Sequence, residues 1–254
     1  MPGNLVDRVL YRDGLVLIID KPAGIPVHGG PGGGTNLEQQ FGSLRFGLKR
    51  SPALAHRLDR DTSGCLVLGR HPKALRRLGR LFAEAQVEKV YWAIVAGVPA
   101  KPQGRIEAAL RKVTRGAGWH MAIDPAGSHA VTDYRMLGAA DGRAWLELRP
   151  HTGRTHQIRV HCAALGCPVI GDPAYGDPAY GDPAYGGPAR GGLTGMPLHL
   201  HARSIALPLY AERSVTAVAP VPPHMLAALA RLGYDPATEH VRAATGAAEE
   251  TMPA

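Results

Sequence analysis

The sequence predicts an α+β fold with a mixed, largely antiparallel sheet flanked by helices and loops, and three observations carry that prediction. Short runs rich in β-branched and aromatic residues recur at 16–19, 65–68, 89–97, 130–137 and 144–148, in the manner of strands. Other stretches repeat apolar residues at helical spacing. The two kinds follow one another irregularly, not as a βαβ alternation, which argues against a doubly wound parallel sheet.

The run 16–19 empties into Asp20-Lys21-Pro22, a strand followed by a loop. The next stretch, "HGGPGGG" from His28, lacks the Lys-Ser/Thr that a phosphate-cradling loop requires, so a nucleotide site is rejected there. Thr35-x-x-Glu38 reads as a capping box, and Leu37, Phe41, Leu44 and Leu48 predict a short helix behind it. Pro72 suits the first turn of another helix, with Leu75, Leu78, Phe82 and Ala85 as its apolar stripe. Lys73, Arg76, Arg77 and Arg80 populate its other face, as an RNA contact or as a solvated surface.

Within 89–97, Tyr91 alternates with Val90 and Trp92 and could be core filler. Ile158, Cys162 and Leu165 predict a helix that Gly166 terminates. From Gly171 the unit GDPAY is written three times, and Pro and Gly at that period predict a loop of successive turns. Extra copies at an exposed site cost little, because closure entropy grows slowly with loop length. Residues 1–235 are expected to form one main body, and the Ala-, Glu- and Thr-rich tail 236–254 to be disordered.

Composition narrows the class of partner. With 29 Lys and Arg against 21 Asp and Glu, the net charge of +8 suits a polyanion. Three cysteines, Cys65, Cys162 and Cys167, are too few and irregular for a disulfide scaffold, so a cytoplasmic, reducing setting is expected. No apolar run approaches the roughly 18 residues of a membrane span.

Two segments carry chemistry. In "AHRLDRDTSGCLVLGR", Asp59 and Asp61 sit among Arg57, Arg60 and Arg70 just before an apolar run. In "LRPHTGRTHQIRVHCAALG", Arg154, His156 and Arg159 crowd a helix start, where the macrodipole disfavours each cation by roughly 0.3–1 kcal/mol. A local rule is broken where function compensates, and such a terminus is an anion site, for a phosphate or for a carboxylate of the protein itself. Beside Arg159, Asp59 would stay ionised and aimed, as a carboxylate nucleophile requires; the alternative is a structural ion pair. His199 and His201 would share a strand face, but Cys162 and Cys167 lack zinc-knuckle spacing, and neither a zinc-deaminase signature nor a GxSxG elbow occurs.

At these residues the chain resembles the RluA family of RNA pseudouridine synthases. The blocks "HRLDRDTSG" (56–64), "KVYWAIVAG" (89–97), "TGRTHQIRVHCAALGCPVIGDPAYG" (152–176) and "LHLHA" (198–202) occur in the family's order, within a likeness covering about residues 9 to 225. The resemblance implies the pseudouridine synthase catalytic fold and an isomerase that acts on a uridine in large-subunit rRNA or in a tRNA stem-loop; many relatives carry a small N-terminal RNA-binding domain, and by departure from them no separate one is expected here. It places the catalytic aspartate at Asp59, the motif tyrosine at Tyr91 and the basic partner of the acid at Arg159, and leaves Asp61 as a turn residue. It makes Arg57 the residue that helps push out the target base; on charge, Arg154, His156 and the Lys73, Arg76, Arg77, Arg80 face are expected as further RNA contacts. It implies neither metal nor organic cofactor, and a monomer. The tripled unit leaves two tyrosines, Tyr175 and Tyr185, for one family position.

Overall fold

The computed structural model describes residues 4–30, 33–115, 118–176 and 196–237. The tail beyond 237 and the copies of the five-residue unit after Gly176, Tyr185 among them, lie outside the described residues.

One mixed sheet organises the chain. Its strands are β1 (Val9–Arg12), β2 (Val16–Lys21), β3 (Ala53–Leu54), β4 (Ser63–Gly69), β5 (Glu88–Ala96), β6 (Gln103–Arg115), β7 (Gly118–Ile123), β8 (Ser128–Ala140), β9 (Arg143–Pro150), β10 (Leu200–Leu207) and β11 (Val215–Val218). Their order is β1-β2-β4-β10-β5-β9-β8-β6-β7, with β3 on β4 and β11 on β10. Every pairing is antiparallel except β4 with β10. The α+β architecture with a largely antiparallel sheet therefore stands as the sequence predicts.

That single parallel pairing requires a glycine. Gly64 has φ +104° and lies so close to the Ala202 backbone that any Cβ would run into the Ala202 carbonyl. Gly64→Ala is expected to cost about 3 kcal/mol or more of unfolding free energy, read by urea denaturation, because backbone strain and overlap add.

Among the described residues, three α-helices pack on the sheet. Helix α1 (Pro72–Ala83) begins at His71, whose Nδ1 accepts the Ala74 N–H at 3.2 Å. It buries Ala74, Leu78 and Leu81, the two leucines against Val16, Ile18 and Val67. Each leucine so buried is worth roughly 1.5–3 kcal/mol. The stripe thus runs one residue off the expected Leu75, Leu78, Phe82, Ala85 line: Leu75 and Phe82 are half-buried, and Ala85 lies past the helix end at φ 54°. Helix α2 (Gln157–Ala164) packs Ile158 and Cys162 on Leu146 and Leu148, and Gly166 at φ 74° follows its end. Helix α3 (Pro223–Arg231) sets Met225 and Leu229 against Trp92 and Trp145.

The expected capping box at Thr35 is corrected by one residue. Asn36 is the N-cap, its N–H donating to Gln39 Oε1 at 3.3 Å, and the segment Leu37–Leu44 that follows is a 3-10 helix. Leu48 lies beyond it and is exposed.

Two histidines inside the molecule give it a pH dependence. His161 and His201 are buried, with Nδ1 hydrogen-bonded at 2.9 Å to the hydroxyls of Thr132 and Ser63. Burial pushes both pKa values down to about 4, against about 6.5 for an unfolded histidine. Between those values the unfolded chain binds more protons, so the stability is complete above about pH 6.5 and falls as the pH drops. Near pH 5 the pair contributes a slope of roughly 2–3 kcal/mol per pH unit. Burial holds the His56 pKa down to about 3, so it adds a slope similar to each of theirs; urea midpoints taken from pH 7 to pH 5 should show the sum, and His161→Gln should remove about a third of it.

Candidate functional site

The loop that carries Asp59 is fixed from below. It joins β3 to β4, a strand buried along its whole length. Lys21, wholly buried at the end of β2, donates from Nζ to the carbonyls of Pro22 (2.8 Å), Arg60 (2.8 Å) and Thr62 (2.9 Å). Three acceptors match the three donors of an ammonium group, although burial pushes the pKa of Lys21 down to about 8 against the pull of Asp61, Asp59 and Asp20. The Asp59 carbonyl accepts the Thr62 N–H at 3.2 Å, and His56 Nε2 accepts the Val67 N–H at 3.0 Å while its ring stacks on Phe82. With its backbone held this way, Asp59 presents its carboxylate to a cavity of about 430 Å³.

Tyr91 and Arg57 reach the same cavity. Tyr91 stands on β5 opposite Leu148 of β9 and Ala202 of β10. Burial first, and then the Asp59 charge, pushes its phenol pKa up. The phenol therefore keeps its proton and offers a hydrogen-bond donor at neutral pH.

Arg159 is shared between two acids. Its Nη1 lies 3.7 Å from Asp59 Oδ2, as the sequence suggests, but its close partner is Asp172. Nε and Nη2 each meet an Asp172 oxygen at 2.7 Å in a bidentate pair, with the Asp172 side chain wholly buried. Asp172 also accepts the N–H groups of Ala174 and Tyr175. The expected Asp59–Arg159 pair is present and is extended to a chain, Asp59–Arg159–Asp172, in which the buried acid aims the guanidinium and the partly exposed one faces the cavity.

His156 completes the wall in a left-handed conformation, φ 52°, as the N-cap of α2. Its Nδ1 is 2.9 Å from the Tyr175 hydroxyl, and that oxygen already accepts the Met121 N–H at 2.9 Å. Burial pushes the Tyr175 pKa up to about 12, so the phenol keeps its proton and donates it to Nδ1. The imidazole proton then sits on Nε2, 4.0 Å from Asp59 Oδ2. Burial, followed by the Arg159 charge, holds the His156 pKa down, with Asp59 and Asp172 opposing. Tyr175 of the first repeat copy is thereby built into the site.

The other expected residues divide. Arg154 lines the cavity, its Nε donating to the His129 carbonyl. Lys73, Arg76, Arg77 and Arg80 are exposed on α1 and do not line it, although Phe82 and Ala83 of that helix do. His201 is engaged by Ser63, and His199 Nδ1 lies 2.8 Å from the Pro197 carbonyl. Sequence reasoning missed Lys21, Asp172 and Trp119. The Asp-Lys-Pro at a strand end and the first Gly-Asp of the repeat were signals for two of them; Trp119, alone in a basic stretch, was the third.

Comparison with known proteins shows the family. Residues 15–164 match the family model described as RNA pseudouridylate synthase. A Zymomonas mobilis protein named as an uncharacterized RNA pseudouridine synthase is 49% identical over 155 residues, 61% of this chain and 71% of that one. The ribosomal large subunit pseudouridine synthase C of Buchnera aphidicola is 37% identical over 61% of this chain, which spans 49% of its length. Among solved structures, human RNA pseudouridylate synthase domain containing 4 superposes with a TM-score of 0.74 at 28% identity, covering 91% of this chain and 95% of that one.

Proposed function

The chain belongs to the RNA pseudouridylate synthase family, and from that premise we propose that it isomerises a specific uridine of a structured RNA, large-subunit rRNA or a tRNA stem-loop, with Asp59 as the acting carboxylate. The observation that carries the reading is the placement of Asp59: its loop is pinned by Lys21, and its carboxylate faces a cavity it shares with Arg159, Tyr91 and Arg57.

The chemistry asks for these groups. The bond from N1 of uracil to C1′ breaks, the freed base turns, C5 bonds to C1′, the hydrogen on C5 leaves as a proton, and N1 takes up a proton from water. Asp59 acts at the sugar, with the Arg159 guanidinium 3.7 Å from its carboxylate to aim it. The Tyr91 phenol, which keeps its proton, stands beside the base as it turns and relays the proton leaving C5 by passing its own O–H proton to the freed Asp59 carboxylate, and from there to water. A paired base is out of reach, so it must be extruded at a cost of a few kcal/mol, which contacts from Arg57, Arg154 and His156 offset. The exposed Lys73, Arg76, Arg77 and Arg80 face adds backbone contacts at a distance, weakened by salt. Atoms and electrons balance without metal, cofactor or redox partner.

The test is release of tritium to water from RNA labelled at C5 of uridine. Large-subunit rRNA and tRNA transcripts, incubated separately with the full chain, should give release from one of the two. Absence of release from both would leave an RNA-binding protein without this chemistry.

A further inference from the structure

A second cavity, of about 440 Å³, adjoins the site. Its walls include Trp119 and Lys112 from the β6–β7 hairpin together with Arg57 and Arg154, which also line the Asp59 cavity. The volume lies within the range of small-ligand pockets, about 300–1,000 Å³. Nothing in the proposed reaction uses it.

Trp119 is the anomaly. The other two tryptophans, Trp92 and Trp145, are 8% and 7% exposed, whereas Trp119 is 44% exposed and is the only aromatic among the exposed large apolar side chains of the described residues. Its ring is nevertheless held: the His156 ring stacks on it at 5.2 Å and 23°, and the Lys112 ammonium lies 4.6 Å from its centroid. A fixed, exposed indole beside cations is how proteins bind single-stranded nucleic acid, stacking a base and pairing its phosphate.

We infer that this second cavity binds a nucleotide flanking the target uridine, its base stacked on Trp119 and the intervening phosphate held between the cavities by Arg57 and Arg154. This rests on the RNA reading above and extends it to a subsite. The Lys112 ammonium, on a flexible stem, moves from the ring to phosphate as the base arrives. Because every base has a π face, the subsite tolerates sequence. It also couples to the chemistry, since a base pressed on Trp119 braces the His156 ring that faces Asp59.

Tryptophan fluorescence tests this without turnover. The probe is the oligonucleotide r(A)8, which contains no uridine, and the control polyanion is heparin, which has charge but no bases. Titration of the full chain with r(A)8 should quench emission by about a third, the share of one tryptophan in three, with little change from heparin. Trp119→Leu should abolish the quench and raise KM for the substrate RNA about tenfold, while Trp119→Phe keeps KM within about twofold. A quench that survives in Trp119→Leu, or an equal response to heparin, would overturn the subsite. If r(A)8 quenches through Trp119 while no tritium is released from labelled RNA, the subsite stands and the isomerase reading falls.

Discussion

Asp59→Asn is expected to lower the rate of pseudouridine formation by about 10⁴-fold or more, equivalent to about 5.4 kcal/mol of transition-state stabilisation. The substitution keeps the shape of the side chain and removes only its charge and basicity, which an acting carboxylate cannot lose. It should leave the fold intact. The contributions of this loop to stability come from backbone groups, the Asp59 carbonyl to Thr62 and the Arg60 and Thr62 carbonyls to Lys21. The stability of the variant, read by thermal melting, should fall by no more than about 1 kcal/mol, the centre of the range for point substitutions. A variant that melts normally and retains more than about a tenth of the rate would remove Asp59 from the chemistry.

The second large effect belongs to Arg159. Arg159→Met leaves the wholly buried Asp172 carboxylate without its bidentate partner, and breaking a buried pair from one side costs about 3–5 kcal/mol. Activity is lost as well, because Asp59 loses the cation 3.7 Å away. The two roles separate in a double variant. Asp172→Asn added to Arg159→Met removes the stranded charge while its Oδ1 still accepts from Ala174 and Tyr175. Stability should recover by at least about half of the loss, and catalysis should not return. Urea unfolding and tritium release on the same samples check both halves, and recovered activity would reduce Arg159 to a structural residue.

What the sequence made legible follows from range. Asp59, Arg57 and the strand behind them are neighbours in the chain, so a local pattern exposes them; Tyr91 stands in a strand whose β-branched and aromatic content is plain. Asp172 was hidden because its pairing with Arg159 runs from a helix to a turn that reads as repeat sequence, and nothing local marks an acid in a loop as buried. The parallel pairing of β4 with β10 joins residues 138 positions apart, and only the demand for a residue without Cβ at Gly64 hints at it. The β6–β7 hairpin escaped although Ile106, Ala108 and Leu110 and then Trp119, Met121 and Ile123 alternate along it, because the Arg111-Lys112 pair breaks the first run and the second is short, and Trp119 escaped with it. On α1 the apolar line was misread because Ala74, small and easily discounted, is buried where Phe82 and Ala85 are not. The choice of Thr35 over Asn36 as cap shows the ordinary limit of boundaries, since both residue types cap.

The most direct test maps pseudouridine, by carbodiimide modification and primer extension, in total RNA from cells lacking the gene and complemented with wild type or with Asp59→Asn. The account predicts a site that is lost on deletion, restored by wild type and not by Asp59→Asn. Restoration by Asp59→Asn, or no lost site in either rRNA or tRNA, would contradict it.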